Sequence, residues 1–155
     1  DNPREAGADR LVNAVGALAY PSPTGRYIVV DFGTATTFDL VEAPNRYLGG
    51  AIAIGPQTAA DALAQRTAKL PRIDLTPPKA AVGKNTLEAL RSGLVLGYAA
   101  LVEGMVRRFK EEAGEALVIA TGGFAATLRP LCPCFDVVDE DLTLKGLLRI
   151  HLERG

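Results

Sequence analysis

The chain has 155 residues, 48% of them apolar and 23% charged, with a formal net charge of −1. That length suits a single domain able to bury about two-thirds of its unfolded surface, and the balance is that of a globular protein, not a disordered or fibrous one. Lysine and arginine are dispersed with no long basic run, no uninterrupted apolar stretch reaches membrane-spanning length, and the opening Asp1-Asn2-Pro3-Arg4-Glu5 is unlike a signal peptide, so the expectation is a cytoplasmic protein with neither nucleic-acid nor membrane partners.

Residues 1–10 are polar and lead into a segment whose apolar residues Leu11, Val12, Ala14, Val15 and Leu18 form one face of a helix. Asp9 stands at or near its start. The residue type alone fits an N-cap, worth about 1 kcal/mol, or a general base, and the cap is the commoner use. Pro21, Pro23 and Gly25 then break the chain.

The stretch Ile28-Val29-Val30-Asp31-Phe32-Gly33-Thr34-Ala35-Thr36-Thr37 reads as a buried strand running into a tight polar turn. Gly33 lets a ligand approach the backbone, the threonine hydroxyls and turn N–H groups can donate to phosphate oxygens, and Asp31 offers a fixed negative charge to a cation. Residues 36–41 alternate polar and apolar, so the turn joins two strands of a hairpin, distinct from a P-loop or a G-x-G-x-x-G turn. An ordinary hairpin with polar turn residues is the plain alternative.

Residues 47–55 predict a third strand with glycines at both ends, 56–66 a short helix entered through Pro56, and 71–83 an irregular loop with three prolines. The longest helical pattern runs from Asn85 or Thr86 to about residue 113 and is closed by Gly114. Leu90, Leu94, Tyr98, Leu101, Met105 and Phe109 form its expected buried stripe. Gly93, Gly97 and Gly104 each cost about 1 kcal/mol in a helix, which close packing against another helix would offset. Residues 117–121 form a second buried strand ending at Gly122-Gly123, where a nucleotide can lie against bare backbone. A short helix from about 124, a strand at 135–138 and a helix at 142–154 complete the chain. Cys132 and Cys134 flank Pro133, and with His151 as the single histidine they are too few for a structural zinc site without carboxylates; reduced loop cysteines are expected.

This order of elements implies an α/β domain: a mixed five-stranded sheet, antiparallel first and parallel later, with helices on both faces. It resembles one half of the ribonuclease-H-like (actin-like ATPase) fold, in which a nucleotide binds between two such halves. Gly7-Ala8-Asp9-Arg10, Val30-Asp31-Phe32-Gly33-Thr34, Leu48-Gly49-Gly50-Ala51-Ile52-Ala53, Gly83-Lys84-Asn85-Thr86 and Thr121-Gly122-Gly123 together resemble type III pantothenate kinase over nearly the whole chain, with Ile54 where many relatives carry proline.

That resemblance implies ATP-dependent phosphorylation of pantothenate, the first step of coenzyme A biosynthesis. It assigns Asp9 as proton acceptor, Gly7, Ala8, Asp9, Arg10 and Thr86 to pantothenate, and Asp31 to a monovalent cation, K+ or NH4+. Gly33, Thr34, Gly122 and Gly123 fall to ATP, with Mg2+ accompanying it. Charge and fork geometry suggest that Arg10 pairs with the pantothenate carboxylate. The family pattern also has a first half with its own Asp-x-Gly-Asn-Thr turn, which these residues do not contain. Residues 1–155 are therefore expected to be the C-terminal domain of a two-domain homodimeric kinase, inactive in isolation and partnered by the N-terminal half. The competing readings are a non-catalytic transcription accessory factor of the same fold and a sugar or acetate kinase.

Overall fold

The structure is a computed structural model and describes residues 7–66 and 73–153. Helix α1 (Ala8–Ala17) precedes a meander of β1 (Arg26–Phe32), β2 (Ala35–Glu42) and β3 (Arg46–Ile54), followed by α2 (Pro56–Arg66). An irregular segment leads to α3 (Thr86–Arg91), a π-helical turn (Ser92–Leu96) and α4 (Gly97–Ala113). Then come β4 (Leu117–Gly122), the short α5 (Ala125–Leu128), a 3-10 turn (Arg129–Leu131), β5 (Val137–Val138) and α6 (Leu142–Glu153). The last strand is thus two residues long where the pattern predicts four, and its approach through Asp136 is bonded to β4 at Val118. Of the predicted 71–83 loop, residues 71 and 72 lie outside the described residues.

The sheet order is β3-β2-β1-β4-β5. β1 pairs antiparallel with β2 and parallel with β4, so the mixed sheet changes sense at its central strand. β1 reads as a continuous apolar run because it is covered on both faces: Ile28, Val29 and Val30 are fully buried. Ile28, Val30, Phe32, Phe38, Val118 and Ala120 join Leu94, Val95, Tyr98, Val102 and Val106 in the larger core under α4. Tyr27, Val29, Val41 and Ile119 point the other way and pack with Ala14, Ala17 and Leu142 of α1 and α6.

The long helix departs from its predicted stripe. Asn85 caps it, its side chain accepting from Glu88 N at 2.9 Å. Leu94 and Tyr98 of the predicted stripe are buried and Met105 and Phe109 pack against the core, but past the π turn Ala99, Val102 and Val106 carry the buried face while Leu101 is 36% exposed. A Cβ on Gly93, Gly97 or Gly104 would meet nothing within 4 Å; the expected close helix packing does not occur among the described residues. From Thr86 to Ala113 the helix is 28 residues long and apolar enough by composition to cross a bilayer, but its apolar face lies on the sheet. Cys132 and Cys134 lie in the irregular segment between the 3-10 turn and β5 and are both reduced, as expected, but Cys132 is fully buried against the larger core.

Candidate active site

Strand parity sorts the polar residues at the C-terminal end of β1. Asp31 lies opposite Thr37 on β2 and Thr121 on β4, and Asp39 follows two residues after Thr37. All four belong to the α1/α6 face, where the apolar residues of the same rows give way to polar ones. Helix α1 lies above them and presents Arg10, Asn13, Ala14 and Ala17 at helical spacing, two polar residues over the polar end and two alanines over the apolar end.

The contacts follow from that overlay. Asp39 is fully buried, and its Oδ1 accepts from Arg10 Nε at 2.7 Å and Tyr47 Oη at 2.6 Å, with Arg10 Nη2 at 2.6 Å. Its Oδ2 accepts from Thr37 Oγ1 at 3.2 Å. Burial pulls the Arg10 pKa down, but the hydrogen bond and charge of Asp39 outweigh it and leave a more firmly held proton. The Tyr47 phenol is pushed up by burial and by donating to Asp39. A Cβ on Gly50 would fall 2.6 Å from Arg10 Nη2 and 2.9 Å from Asp39 Oδ1, so the bare backbone of Gly50 makes room for this pair.

Asp31 sits beside it. Its Oδ2 accepts from Asn13 Nδ2 at 2.8 Å, and Asn13 Oδ1 in turn accepts from Thr143 Oγ1 of α6 at 2.6 Å. Burial raises the Asp31 pKa; the Asn13 bond opposes this, and the charges of Asp9 and Asp39 add to it. Gly122, at φ +86°, closes the other side: a Cβ there would lie 2.7 Å from Asp31 Oδ1 and 2.5 Å from Phe32 O. A half-buried carboxylate crowded by two other acids is a chemically suitable cation ligand, since a bound cation would offset all three influences that raise its pKa.

Asp9 is not the N-cap. Gly7 takes that position with no side-chain bond, and Asp9 is exposed in the first helical turn, its carboxylate folded back over Gly7. The cap reading therefore has no hydrogen bond behind it. Ala8 precedes it at the helix start. Arg10 turns both Nε and Nη2 to Asp39, which fixes the orientation of its guanidinium.

The predicted phosphate turn lies at the sheet edge beyond Phe32. Gly33 and Thr34 close the hairpin, and Thr34 O accepts from Gly55 N at 2.9 Å and Thr58 Oγ1 at 2.8 Å, which ties the turn to the start of α2. A cleft of about 500 Å³ is lined by Gly33, Thr34, Thr58, Asp61, Gly123 and Phe124 among others. The two glycine turns meet there because β1 and β4 are parallel neighbours with Phe32 opposite Gly122. Gly122 itself faces Asp31, whereas Gly123 faces the cleft. Thr36, beside the turn, is fully buried with a hydroxyl that has no partner among the described residues. Thr86 is exposed at the start of α3 and shares no hydrogen bond with the Asp31 cluster.

Sequence reading missed Asn13, Asp39, Tyr47 and Thr143. Asp39 carries a usable signal, the one acid at the alternate positions 35, 37, 39 and 41 of β2, whose other members are Ala, Thr and Val. The other three become visible only when α1, β3 and α6 are placed.

A mixed sheet with a glycine-bearing hairpin turn, a second glycine turn beside it and helices on both faces defines half of an actin-like, ribonuclease-H-like fold. Two solved structures share it. A Campylobacter jejuni protein assigned to the Baf family of transcriptional activators superposes with a TM-score of 0.71 at 21% identity, covering 99% of this chain and 67% of its own. A sugar kinase from Cytophaga hutchinsonii gives 0.54 at 10% identity, covering 93% and 64%.

The family model for type III pantothenate kinase matches residues 1–108, and the chain belongs to that family. It is 99% identical over its whole length to a type III pantothenate kinase of Thermus thermophilus, spanning 62% of that protein. It is 51% identical to the Deinococcus radiodurans enzyme, spanning 60%. The chain thus covers about three-fifths of these relatives.

Proposed function

We propose that these residues are the C-terminal domain of an ATP-dependent kinase that phosphorylates the primary hydroxyl of pantothenate to give 4'-phosphopantothenate. The observation that carries the reading is the junction of the Asp31 cluster with the glycine-lined cleft at one end of β1, in a chain of this family. ATP, as its Mg2+ complex, takes the cleft with its phosphates near Gly33, Thr34, Gly122 and Gly123. Pantothenate takes the Gly7-Ala8-Asp9-Arg10 side, with Thr86 contributing from a second copy in a homodimer whose pocket lies near the interface.

The chemistry asks little covalent work of the protein. In phosphoryl transfer the groups are positioned and charge is neutralised while an aspartate accepts the alcohol proton. Asp9 is exposed and close enough to Asp31 to act on its charge, so it can reach a substrate hydroxyl. Asp31, held by Asn13 and walled by Gly122, suits K+ or NH4+, which when bound would neutralise charge accumulating near the transferring group. Arg10, fixed by Asp39, stabilises substrate anions as an oriented cation. The rest of the protein, an N-terminal half on the family pattern, supplies the facing wall of the cleft, and the enzyme works in the cytoplasm. ATP-dependent phosphorylation of pantothenate by the full-length protein, assayed with K+ or Na+ as the single monovalent cation, tests this. K+-dependent product is expected, and its loss in Asp9→Asn by about 100-fold or more. A folded full-length protein that forms no product with any cation would overturn it in favour of a non-catalytic regulator.

A further inference from the structure

The thiols of Cys132 and Cys134 lie apart from the proposed kinase site, yet they are built against each other. The 3-10 turn (Arg129–Leu131) delivers Cys132 into a tight turn in which Phe135 N donates to Cys132 O at 3.2 Å, with Pro133 at the corner. The turn folds the two thiols into hydrogen-bond contact. Their surroundings differ. Cys132 is fully buried against α4, its Sγ 4.0 Å from Ala99 O. Cys134 is half-buried and lines a groove of about 380 Å³ along α4, whose charged groups are Glu103, Arg107, Lys110, Glu111 and Glu115. Packing accounts for Cys132, since a free cysteine serves well as a small core residue. It does not account for a second thiol in contact with the first at the wall of a groove. The contact also makes the pair unequal. Donation from the Cys132 thiol holds the Cys134 pKa below the ordinary thiol value, against burial and the charge of Glu103, with Lys110 assisting. Cys132 is pushed up by the same hydrogen bond, by burial, and by the charges of Cys134 and Glu103. A proton lost from the pair therefore leaves the thiolate at Cys134, on the groove side, with Cys132 protonated behind it.

We propose that Cys132 and Cys134 form a peroxide-responsive dithiol, in which Cys134 is the residue oxidised and Cys132 the one that closes the disulfide. The co-reactant is a small hydroperoxide, which the groove has room to admit. The Cys134 thiolate attacks one peroxide oxygen: an S–O bond forms, the O–O bond breaks, and the sulfur gives up two electrons. The departing hydroxide, or alkoxide from an organic peroxide, takes up the proton that Cys134 released to solvent. The product is a Cys134 sulfenic acid. This group is neutral, so the charge and the hydrogen bond that held the Cys132 proton are gone, and the second thiol becomes a nucleophile only after the first has reacted. Cys132 sulfur then attacks Cys134 sulfur; an S–S bond forms, the S–O bond breaks, and hydroxide leaves as water with the Cys132 proton. The pair loses two hydrogens in all, and the peroxide is reduced to water, or to water and an alcohol. A disulfide between residues so close in sequence closes a small ring, which an external thiol opens again.

The test exposes the reduced full-length protein to hydrogen peroxide, alkylates it, and maps its tryptic peptides by mass spectrometry; residues 111–145 come away as one peptide carrying both cysteines. The expected product is an internal disulfide, a peptide lighter by two hydrogens that refuses the alkylating agent and is restored by dithiothreitol. A peptide that stays reduced, or one that passes to sulfinic acid with no disulfide formed, would overturn the proposal. In Cys132→Ala, Cys134 should stop at the sulfenic acid, trapped there by dimedone. In Cys134→Ala, Cys132 should oxidise at least about tenfold more slowly than the pair does, and oxidation of Cys132 at an unchanged rate would overturn the order of the two steps. Should the buried Cys132→Ala change prevent folding, the wild-type protein decides the order without it. Iodoacetamide at pH 7 should label Cys134 at least about tenfold faster than Cys132, and equal rates would overturn the assignment. The readout is the thiols themselves, so the result stands apart from the kinase reading.

Discussion

Replacing Asp39 by alanine should be among the most damaging single changes on the α1 face. The carboxylate is fully buried and is the shared acceptor for Arg10, Tyr47 and Thr37. Its removal strands a guanidinium whose side chain is only 14% exposed. Leaving one partner of a buried ion pair unpaired costs about 3–5 kcal/mol, and the two hydroxyls, which water can partly reach, bring the sum to about 4–6 kcal/mol. For a domain of this size each kcal/mol lowers the melting temperature by about 2–4 °C, so a fall of about 8–24 °C is expected. Urea unfolding at pH 7, read by circular dichroism, measures it, and a double-mutant cycle with Arg10→Met isolates the pair. The cycle should return a coupling of about 2 kcal/mol or more, since the double variant removes the stranded charge along with the pair. A loss below about 1 kcal/mol for Asp39→Ala, or two additive single changes, would refute Asp39 as the anchor of α1.

Gly122→Ala should cost about 2–4 kcal/mol, combining a positive φ with a Cβ 2.7 Å from Asp31 Oδ1; thermal unfolding checks the cost, and in the full-length protein K+ dependence should weaken with it. Asp31 has a raised pKa, so the stability it contributes is complete below about 3.8 and is lost as pH rises through its folded value. In cation-free buffer, wild type should therefore lose stability relative to Asp31→Asn as pH rises above about 4, and a gap that does not change with pH would contradict the assignment. Asp139 titrates in the opposite sense: burial raises its pKa, but bonds from Lys145 and Tyr20, at 2.8 and 2.6 Å, more than offset this. Its stabilisation is present above about 3.8 and is lost as pH falls through the lowered folded value. Asp139→Asn should cost about 1–2 kcal/mol at pH 7 and progressively less as pH falls below about 3.8, as measured by denaturant titration across that range.

The fold was legible in the sequence wherever one physical signal dominated. The unbroken apolar run of Ile28, Val29 and Val30 in β1, the alternation in β2 and the glycines at both ends of β3 each had a single structural solution, and the meander followed. The long helix was legible in extent and only partly in phase: Leu94, Tyr98, Met105 and Phe109 face the core, but a π turn, which leaves no mark on composition, shifts the face beyond it enough that Leu101 surfaces and Val102 is buried. The same limit applies to the site. Asp31, Gly33 and Gly122-Gly123 belong to local patterns, strand followed by turn, that a reader can recognise along the chain. Asn13, Tyr47 and Thr143 act through partners 18, 8 and 130 positions away, and no spacing rule connects them before the layers are assembled.

Why the site lies where it does follows from β1 being the strand at which the sheet changes sense. An antiparallel neighbour returns through a tight hairpin at the C-terminal end of β1, and a parallel neighbour delivers the end of β4 to the same place, so the Gly33-Thr34 and Gly122-Gly123 turns converge without a long loop. This is the crevice beyond the strand ends that open α/β sheets offer to ligands. Side-chain parity then divides the labour, since residue 31 points to the α1 side while the turn two residues later reaches the cleft. On the proposed reading, an acid and a phosphate-binding turn drawn from one strand would serve two ligands on adjacent surfaces. A single-residue insertion between Asp31 and Gly33 would break this arrangement by reversing the parity of one element against the other, so it should abolish cation dependence even in a protein that still folds.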